Sequence, residues 1–359
     1  MKGLLMLYHL SLYFRESWHL LNVVHYVSFR ILAGLLSTMF FSFLFGERFI
    51  SYSQRFFRSK TREITPKWQR TKEQLPTMGG LFILAMVFLN TLLWCNLSNP
   101  TVWLMLGLLF GFGAIGAWDD WDKINRHKGI SARAKFSLQL AVSLLIAGVW
   151  VFACDAQTTI TFPFFKAFQP ALGLFFIPWA MFVIIGTSNG VNLTDGLDGL
   201  AIGSLIPNFS LFSILCYLAG NMKLAAYLHI PYAGTAEIAI MGAIFVGASI
   251  GFLWYNAYPA QIFMGDVGSL ALGAGLGFMA LLCKQELLLA ISGGIFVAET
   301  LSVILQLGSY RLRGKKIFKM APMHHHFELI GWQEAKITVR FAVISLILCI
   351  LALITIKIR

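Results

Sequence analysis

Charge is what this sequence has least of. Only 12% of its 359 residues are Asp, Glu, Lys or Arg, while 58% are hydrophobic. A soluble domain carries about 25% charged residues because its surface faces water. The shortage excludes an ordinary water-soluble globule, so most of the surface faces a bilayer, whose core takes about 20 apolar residues per helical crossing. Crossings are helical because backbone N–H and C=O groups find no water at that depth. Cysteine is scarce too. Cys95, Cys154, Cys216, Cys283 and Cys349 include no pair at metal-ligand spacing and are read as small apolar residues, with a Cys95–Cys154 disulfide left open. No cleavable signal peptide is evident, and the first 19 residues, with His9, Arg15, Glu16 and His19, suit the membrane interface. Long linkers, a soluble domain and obvious internal repeats are also lacking.

What is present is a series of apolar runs, near 21–45, 78–95, 101–118, 136–153, 171–187, 200–219, 238–254, 268–283, 287–308 and 337–356. They predict an all-α polytopic membrane protein of about ten transmembrane helices, one integral membrane domain over residues 1–359, with both termini on one side. The net charge of +12 does not signal nucleic acid, because the basic residues sit in short segments between these runs. The connections 46–77, 119–135, 188–199, 255–267 and 309–336 hold 19 Lys and Arg, whereas the other side, tails included, holds seven. Positive residues favour the cytoplasm, so the richer face is expected to be cytoplasmic and both termini periplasmic.

The carboxylates share the asymmetry. Of seven aspartates, Asp119, Asp120, Asp122, Asp195, Asp198 and Asp266 lie on the expected cytoplasmic side, and only Asp155 does not. Carboxylates that close to hydrocarbon are costly unless paired, solvated or metal-bound, and three connections that each contribute acids can build an oxygen-ligand site for Mg²⁺ or Mn²⁺. Solvated loop acids or helix caps are the plainer reading, an even match for Asp122 alone. The segment 188–199 has no basic residue but holds Asn189, Asn192, Asp195, Asp198 and three glycines, donors and acceptors that can read a base or ribose. In the next acidic segment Asn256 and Phe263 precede Asp266; Phe263 is either interface packing or a stacking surface for a nucleobase. Lys72 precedes the turn Pro76-Thr77-Met78-Gly79-Gly80, and Lys123, Lys128, Arg133 and Lys135 follow the aspartate pair, with Lys135 and Gln139 on one helix face. The last segment carries five Lys and Arg, then Met320-Ala321-Pro322-Met323-His324-His325-His326. Consecutive histidines point different ways, so one ion is not expected to take all three; imidazoles beside Lys and Arg suit a phosphate or diphosphate better. Carboxylates for a divalent metal and cations for phosphate on one face are the inventory of phosphoryl transfer at a membrane surface.

In these pieces the chain closely resembles the phospho-N-acetylmuramoyl-pentapeptide-transferases, a branch of the polyprenyl-phosphate N-acetylhexosamine-1-phosphate transferase superfamily. The matching pieces are the Pro76–Gly80 turn, Asp119-Asp120, Asn189–Leu200, Trp254–Leu272 and Glu299–His326, and the likeness spans nearly the whole chain from about residue 40. The aspartate pair and the Asn/Asp segment are shared across the superfamily; the triple histidine favours the muramoyl branch. Lys72-Glu73-Gln74-Leu75 departs from the Lys-x-Gly-Thr pattern of the family. The resemblance implies transfer of phospho-MurNAc-pentapeptide from UDP-MurNAc-pentapeptide to undecaprenyl phosphate, giving lipid I and UMP, by a Mg²⁺-dependent homodimer in the bacterial cytoplasmic membrane. Carried over by residue, Asp266 resembles the metal ligand, Asp119 a base or lipid-phosphate positioner, and Asp120 its support. Asn192, Asp195 and Asp198 resemble uridine-side contacts with Phe263 stacking and Lys72 nearby. His324 and His325 resemble diphosphate or sugar contacts, His324 counted with the catalytic aspartates. Thr77, Lys123, Lys135, Asn256 and His326 complete the expected substrate-binding set.

Three other readings compete. A relative using UDP-GlcNAc would share the aspartates. A transporter or flippase would place polar residues near the midplane, where only Glu299 stands out, with helix packing or polar bonding as its plainer explanation. A structural scaffold would leave six aspartates on one face without a reason.

Overall fold

The computed structural model describes residues 7–14, 19–57, 75–126, 128–154, 156–163, 165 and 168–357. Among them nine helices are long and apolar enough to span a bilayer. These are α2 (Val27–Phe56), α4 (Pro100–Arg126), α5 (Ala132–Ala153), α6 (Phe176–Thr194), α7 (Leu200–Ala219), α9 (Ala236–Asn256), α10 (Gly265–Leu282), α12 (Gly294–Arg313) and α14 (Glu334–Lys357). A further apolar helix, α3 (Gly79–Trp94), is 16 residues long. Short helices fill in around them: α1 (Leu7–Phe14), α8 (Met222–Leu228), α11 (Glu286–Ser292) and α13 (Met323–Ile330). One β bridge pairs Thr159 with Ala171. The chain is thus an all-α polytopic membrane protein.

Two helices form the centre. α9 packs against α2 and α7, and α10 against α4 and α6; both are almost wholly buried. Small residues allow this. A Cβ on Gly80 would lie 2.1 Å from the Gly268 nitrogen, and one on Gly116 2.3 Å from the Asp266 carbonyl, so α3 and α4 can approach α10 only with glycine there. Helices α2 and α12 are peripheral. They expose Leu32, Leu36 and Phe40, and Leu301, Ile304 and Leu305, the side chains that hydrocarbon covers in place of protein.

Helix ends differ from the apolar runs. α2 continues to Phe56, α4 to Arg126 and α6 to Thr194, so Asp119, Asp120, Lys123 and Asn192 stand on final helical turns and not in loops. Backbone hydrogen bonding does not stop where apolar side chains stop, and Lys123 and Arg126 suit the negative end of the α4 dipole. The expected ninth run is divided at Gly293 into α11 and α12. The expected loop 309–336 contains α13, which bears the three histidines and ends at Gly331 with φ +104°. No disulfide joins Cys95 to Cys154 in the structure, so the Cys95–Cys154 pairing is not made. Lys72 lies outside the described residues.

Candidate active site

The site stands where the C-terminal ends of α4, α6 and α9 meet the N-terminal ends of α5 and α10. On α4, Asp119, Asp120 and Lys123 share one face, being one, three and four residues apart. The turn after α4 folds back through Asp119, whose Oδ1 accepts a hydrogen bond from the Ile130 nitrogen at 2.8 Å. Ser131 then caps α5, its side chain accepting from the Ala134 nitrogen, and Lys135 follows one turn on. Asp266 enters from the first turn of α10. Just before it, Gly265 has φ +75°, and a Cβ there would meet Asp120 Oδ2 at 2.5 Å, so that position has no room for a side chain.

Among the described residues, one group of His, Cys, Asp and Glu side chains can share a metal ion: Asp119, Asp120 and Asp266, whose oxygens lie within 4.8 Å of one another. Asp119 and Asp120 are buried and Asp266 is half-buried. Two ammonium groups hold the three together. Lys123 Nζ lies 2.7 Å from Asp119, 3.5 Å from Asp120 and 2.9 Å from Asp266. Lys135 Nζ lies 2.5 Å from Asp266 and 3.6 Å from Asp119. The Val267 nitrogen donates to Asp120 Oδ2 at 3.3 Å, and Asn192 Nδ2 donates to Asp266 Oδ1 at 3.0 Å and to Ser269 Oγ at 2.9 Å. Three carboxylates against two ammoniums leave one negative charge over, in a cluster built only of hard oxygen donors. That donor set fits Mg²⁺ or Mn²⁺.

Around this centre the expected residues divide. The Pro76–Gly80 turn is laced to the segment before Asp266: Phe263 N donates to Pro76 O at 2.9 Å, Gly79 N to Phe263 O at 2.8 Å and Gly80 N to Met264 O at 2.8 Å. This brings Thr77 beside Gly265 and leaves Phe263 half-buried. Asp195 is half-buried just beyond α6. Desolvation, and then the negative charges of Asp266 and Asp120, push its carboxyl well above the ordinary carboxylate range.

Asn256 and Asp198 are instead buried and committed to backbone. Asn256 donates to Ile262 O at 2.8 Å and accepts from Gly199 N at 3.1 Å. Asp198 Oδ2 accepts from Ala260 N at 3.0 Å. Asp122 stays outside the cluster, 3.8 Å from Arg126. On α13, His324 is 1% exposed, His325 Nδ1 lies 2.6 Å from Glu328, and His326 Nδ1 accepts from Lys319 N at 3.1 Å. Two acids escaped the sequence reading as site-forming groups. Glu334 accepts from Asp198 N at 2.8 Å. Glu299 binds the start of α13; its signal was a lone carboxylate within an apolar run.

A groove of about 670 Å³ opens between α5, α6 and α12. Phe136, Leu140, Met181 and Phe182 line it, and Lys135, Gln139 and Asn189 add polar groups. Asn189 donates to Gln139 Oε1 at 2.9 Å.

A polar, carboxylate-rich centre at one end of a membrane bundle suits a transferase that works at the bilayer surface, and residues 102–284 match glycosyl transferase family 4. Two bacterial proteins align along almost the entire chain. One, from Solidesulfovibrio magneticus, is 46% identical over 99% of this chain and 100% of its own length; the other, from Citrifermentans bemidjiense, is 47% identical with the same coverage. Both are named phospho-N-acetylmuramoyl-pentapeptide-transferase. The chain belongs to the phospho-N-acetylmuramoyl-pentapeptide-transferase family.

Proposed function

We infer that this protein transfers phospho-MurNAc-pentapeptide from UDP-MurNAc-pentapeptide to undecaprenyl phosphate, giving lipid I and UMP, the first membrane step of peptidoglycan synthesis. The family carries the reaction, and it favours this substrate over UDP-GlcNAc and an enzyme over a transporter. Lys135 carries the reading in the structure. Its ammonium touches Asp266 while its side chain lines the apolar groove, so a lipid tail lying in that groove would end with its phosphate at the carboxylate centre.

Mg²⁺ held by Asp266, with Asp119 and Asp120 beside it, would screen the negative charge of the diphosphate. The chain's own groups do the rest. Lys123 and Lys135 neutralise the two anions as they approach. A phosphate monoester has its second pKa near 6, so at neutral pH the lipid phosphate is largely a dianion and needs little help from a base. Its oxygen attacks the sugar-linked phosphorus; a new P–O–P bond forms and the bond to UMP breaks. Direct attack is favoured over an aspartyl intermediate because Asp119 is engaged on both oxygens, by the Ile130 nitrogen and by Lys123. Asp119 then orients the lipid phosphate. Phe263 stacks on the uracil, Asn192 and Asp195 face the nucleoside, and His325 faces the diphosphate or sugar, with the buried His324 ring packed behind it. The basic end of the bundle is the cytoplasmic one, in the bacterial cytoplasmic membrane, and the protein works as a homodimer.

The test is purified protein with UDP-MurNAc-pentapeptide, undecaprenyl phosphate and Mg²⁺. UMP should appear, and EDTA should stop it. No UMP under these conditions would sink the reading. Without lipid, labelled UMP should not exchange into the sugar nucleotide; robust exchange would replace direct attack by a two-step route. Reporters at Gly314 and after Arg359 should lie on opposite sides of the membrane, and native mass measurement should give a dimer.

A further inference from the structure

Glu299 is fully buried in α12. A carboxylate at that depth is costly unless hydrogen-bonded. Its partners come from the start of α13: Met323 N donates to Oε2 at 2.6 Å and His324 N to Oε1 at 3.1 Å. The first N–H groups of a helix have no partner within it, and Pro322, at the N-cap, supplies no side-chain acceptor. Glu299 therefore caps α13 from a different helix, with its negative charge at the positive end of the dipole.

The same Oε1 lies 3.2 Å from His324 Nδ1, an electrostatic contact outside hydrogen-bond geometry. On the opposite edge of the ring, Nε2 faces Gly196, where a Cβ would lie only 2.2 Å away. One carboxylate thus joins α12 to the histidine helix, and the His324 ring sits between it and the turn that carries Asp195 and Asp198. A carboxylate oxygen beside Nδ1 favours a proton there, since a bare ring nitrogen would oppose it lone pair to lone pair.

We propose that Glu299 is a positioning residue: it caps the three-histidine helix and holds His324 with its proton on Nδ1 and its Nε2 toward the 195–198 turn. This deepens the transferase reading and rests on it for the role of His324.

The experiment uses the full-length protein, labelled with ¹⁵N-histidine in detergent micelles, with the His324 signals assigned from a His324→Gln variant. Wild type should show neutral His324 as the Nδ1–H tautomer. Glu299→Gln offers one acceptor oxygen and an NH₂ in place of two acceptors. It should admit the other tautomer and lower kcat by about tenfold or more, the effect of one or two buried donors left unpaired. Cooperative thermal unfolding in micelles should persist, showing that the protein is still folded. Glu299→Asp, which keeps both oxygens, should recover part of the loss and the wild-type tautomer. An Nε2–H tautomer in wild type, or a Glu299→Gln loss well under tenfold, would overturn the proposal. If Glu299→Gln does not fold, the wild-type spectrum alone decides. If wild type releases no UMP, the transferase reading falls while the tautomer still decides the positioning.

Discussion

Two ionic clusters stand at opposite ends of α9. At its start, Glu237 meets Arg30 of α2 in a bidentate pair, with both N···O distances 2.8 Å. Trp94 O accepts from the same guanidinium at 3.0 Å, Asn96 N donates to the carboxylate at 2.7 Å, and the Tyr8 ring lies 4.3 Å from the guanidinium carbon. About 30 Å away along that helix, Asp119, Asp120 and Asp266 share Lys123 and Lys135. The first cluster is balanced, one charge against one, and buried on both partners. The second is unbalanced by one negative charge, and its Asp266 is half-buried. Balance and closure make a clamp; a surplus charge and an opening make a place for a ligand. Both contain carboxylates at the ends of apolar helices, so residue type alone does not separate them.

The largest effect should come from breaking the clamp. Glu237→Gln leaves Arg30 buried without its counter-charge, which costs about 3–5 kcal/mol of stability. Unfolding in micelles should show that loss, while turnover per folded molecule stays unchanged. Reduced turnover in the folded fraction would erase the distinction between the two ends. Asp266→Asn should do the reverse. It leaves two carboxylates facing two ammoniums, so stability should hold or rise, but kcat should fall by about 10²–10³-fold, as when a preorganised electrostatic group is removed. Near-normal turnover in Mg²⁺ would remove Asp266 from the centre.

Phe263 sharpens the contrast within the open end. Its backbone is fixed on both sides by Pro76 and Gly79, so truncating the side chain should leave the segment in place. Phe263→Ala should weaken UMP binding by about 1–3 kcal/mol, the usual contribution of base stacking. Titration with UMP measures this; an unchanged affinity would make Phe263 an interface residue.

The clusters were not equally legible in the sequence. Apolar runs reveal helices because hydrocarbon demands a minimum length, and the excess of aspartates on one face showed which ends would meet. Helix ends were hidden, because α4 and α6 carry their hydrogen bonding on through Asp119 and Asn192 after the apolar side chains have stopped. Asn256 and Asp198 read as open polar groups, yet each turns inward to a backbone partner that only the folded loop supplies. Arg30 and Glu237 could not be paired from sequence, being 207 residues apart. Glu299 showed as an anomaly, but its partner is a helix terminus, which has no residue signature of its own. The asymmetry of composition thus locates a site, whereas the direction each polar group faces depends on backbone geometry.

Asp122 provides the smallest and most discriminating change, because it belongs to the same acidic stretch as Asp119 and Asp120. At about 100° per residue, Lys123 lies between Asp119 and Asp120 on α4, whereas Asp122 lies beyond Asp119, about 100° from Lys123 and about 160° from Asp120. Its partner Arg126 is 3.8 Å away with a side chain 77% exposed, a geometry worth about 0–1 kcal/mol at most. Asp122→Asn should therefore leave turnover nearly unchanged and stability within that range, while Asp119→Asn, three residues earlier, should be severe because it removes a charge from Lys123 and Lys135. Assaying the two variants side by side tests geometry against composition. Equal damage from both would mean that the bulk acidity of the segment matters and not the face that α4 turns toward α10, and the assignment of Asp119 and Asp120 to the centre would lose its basis.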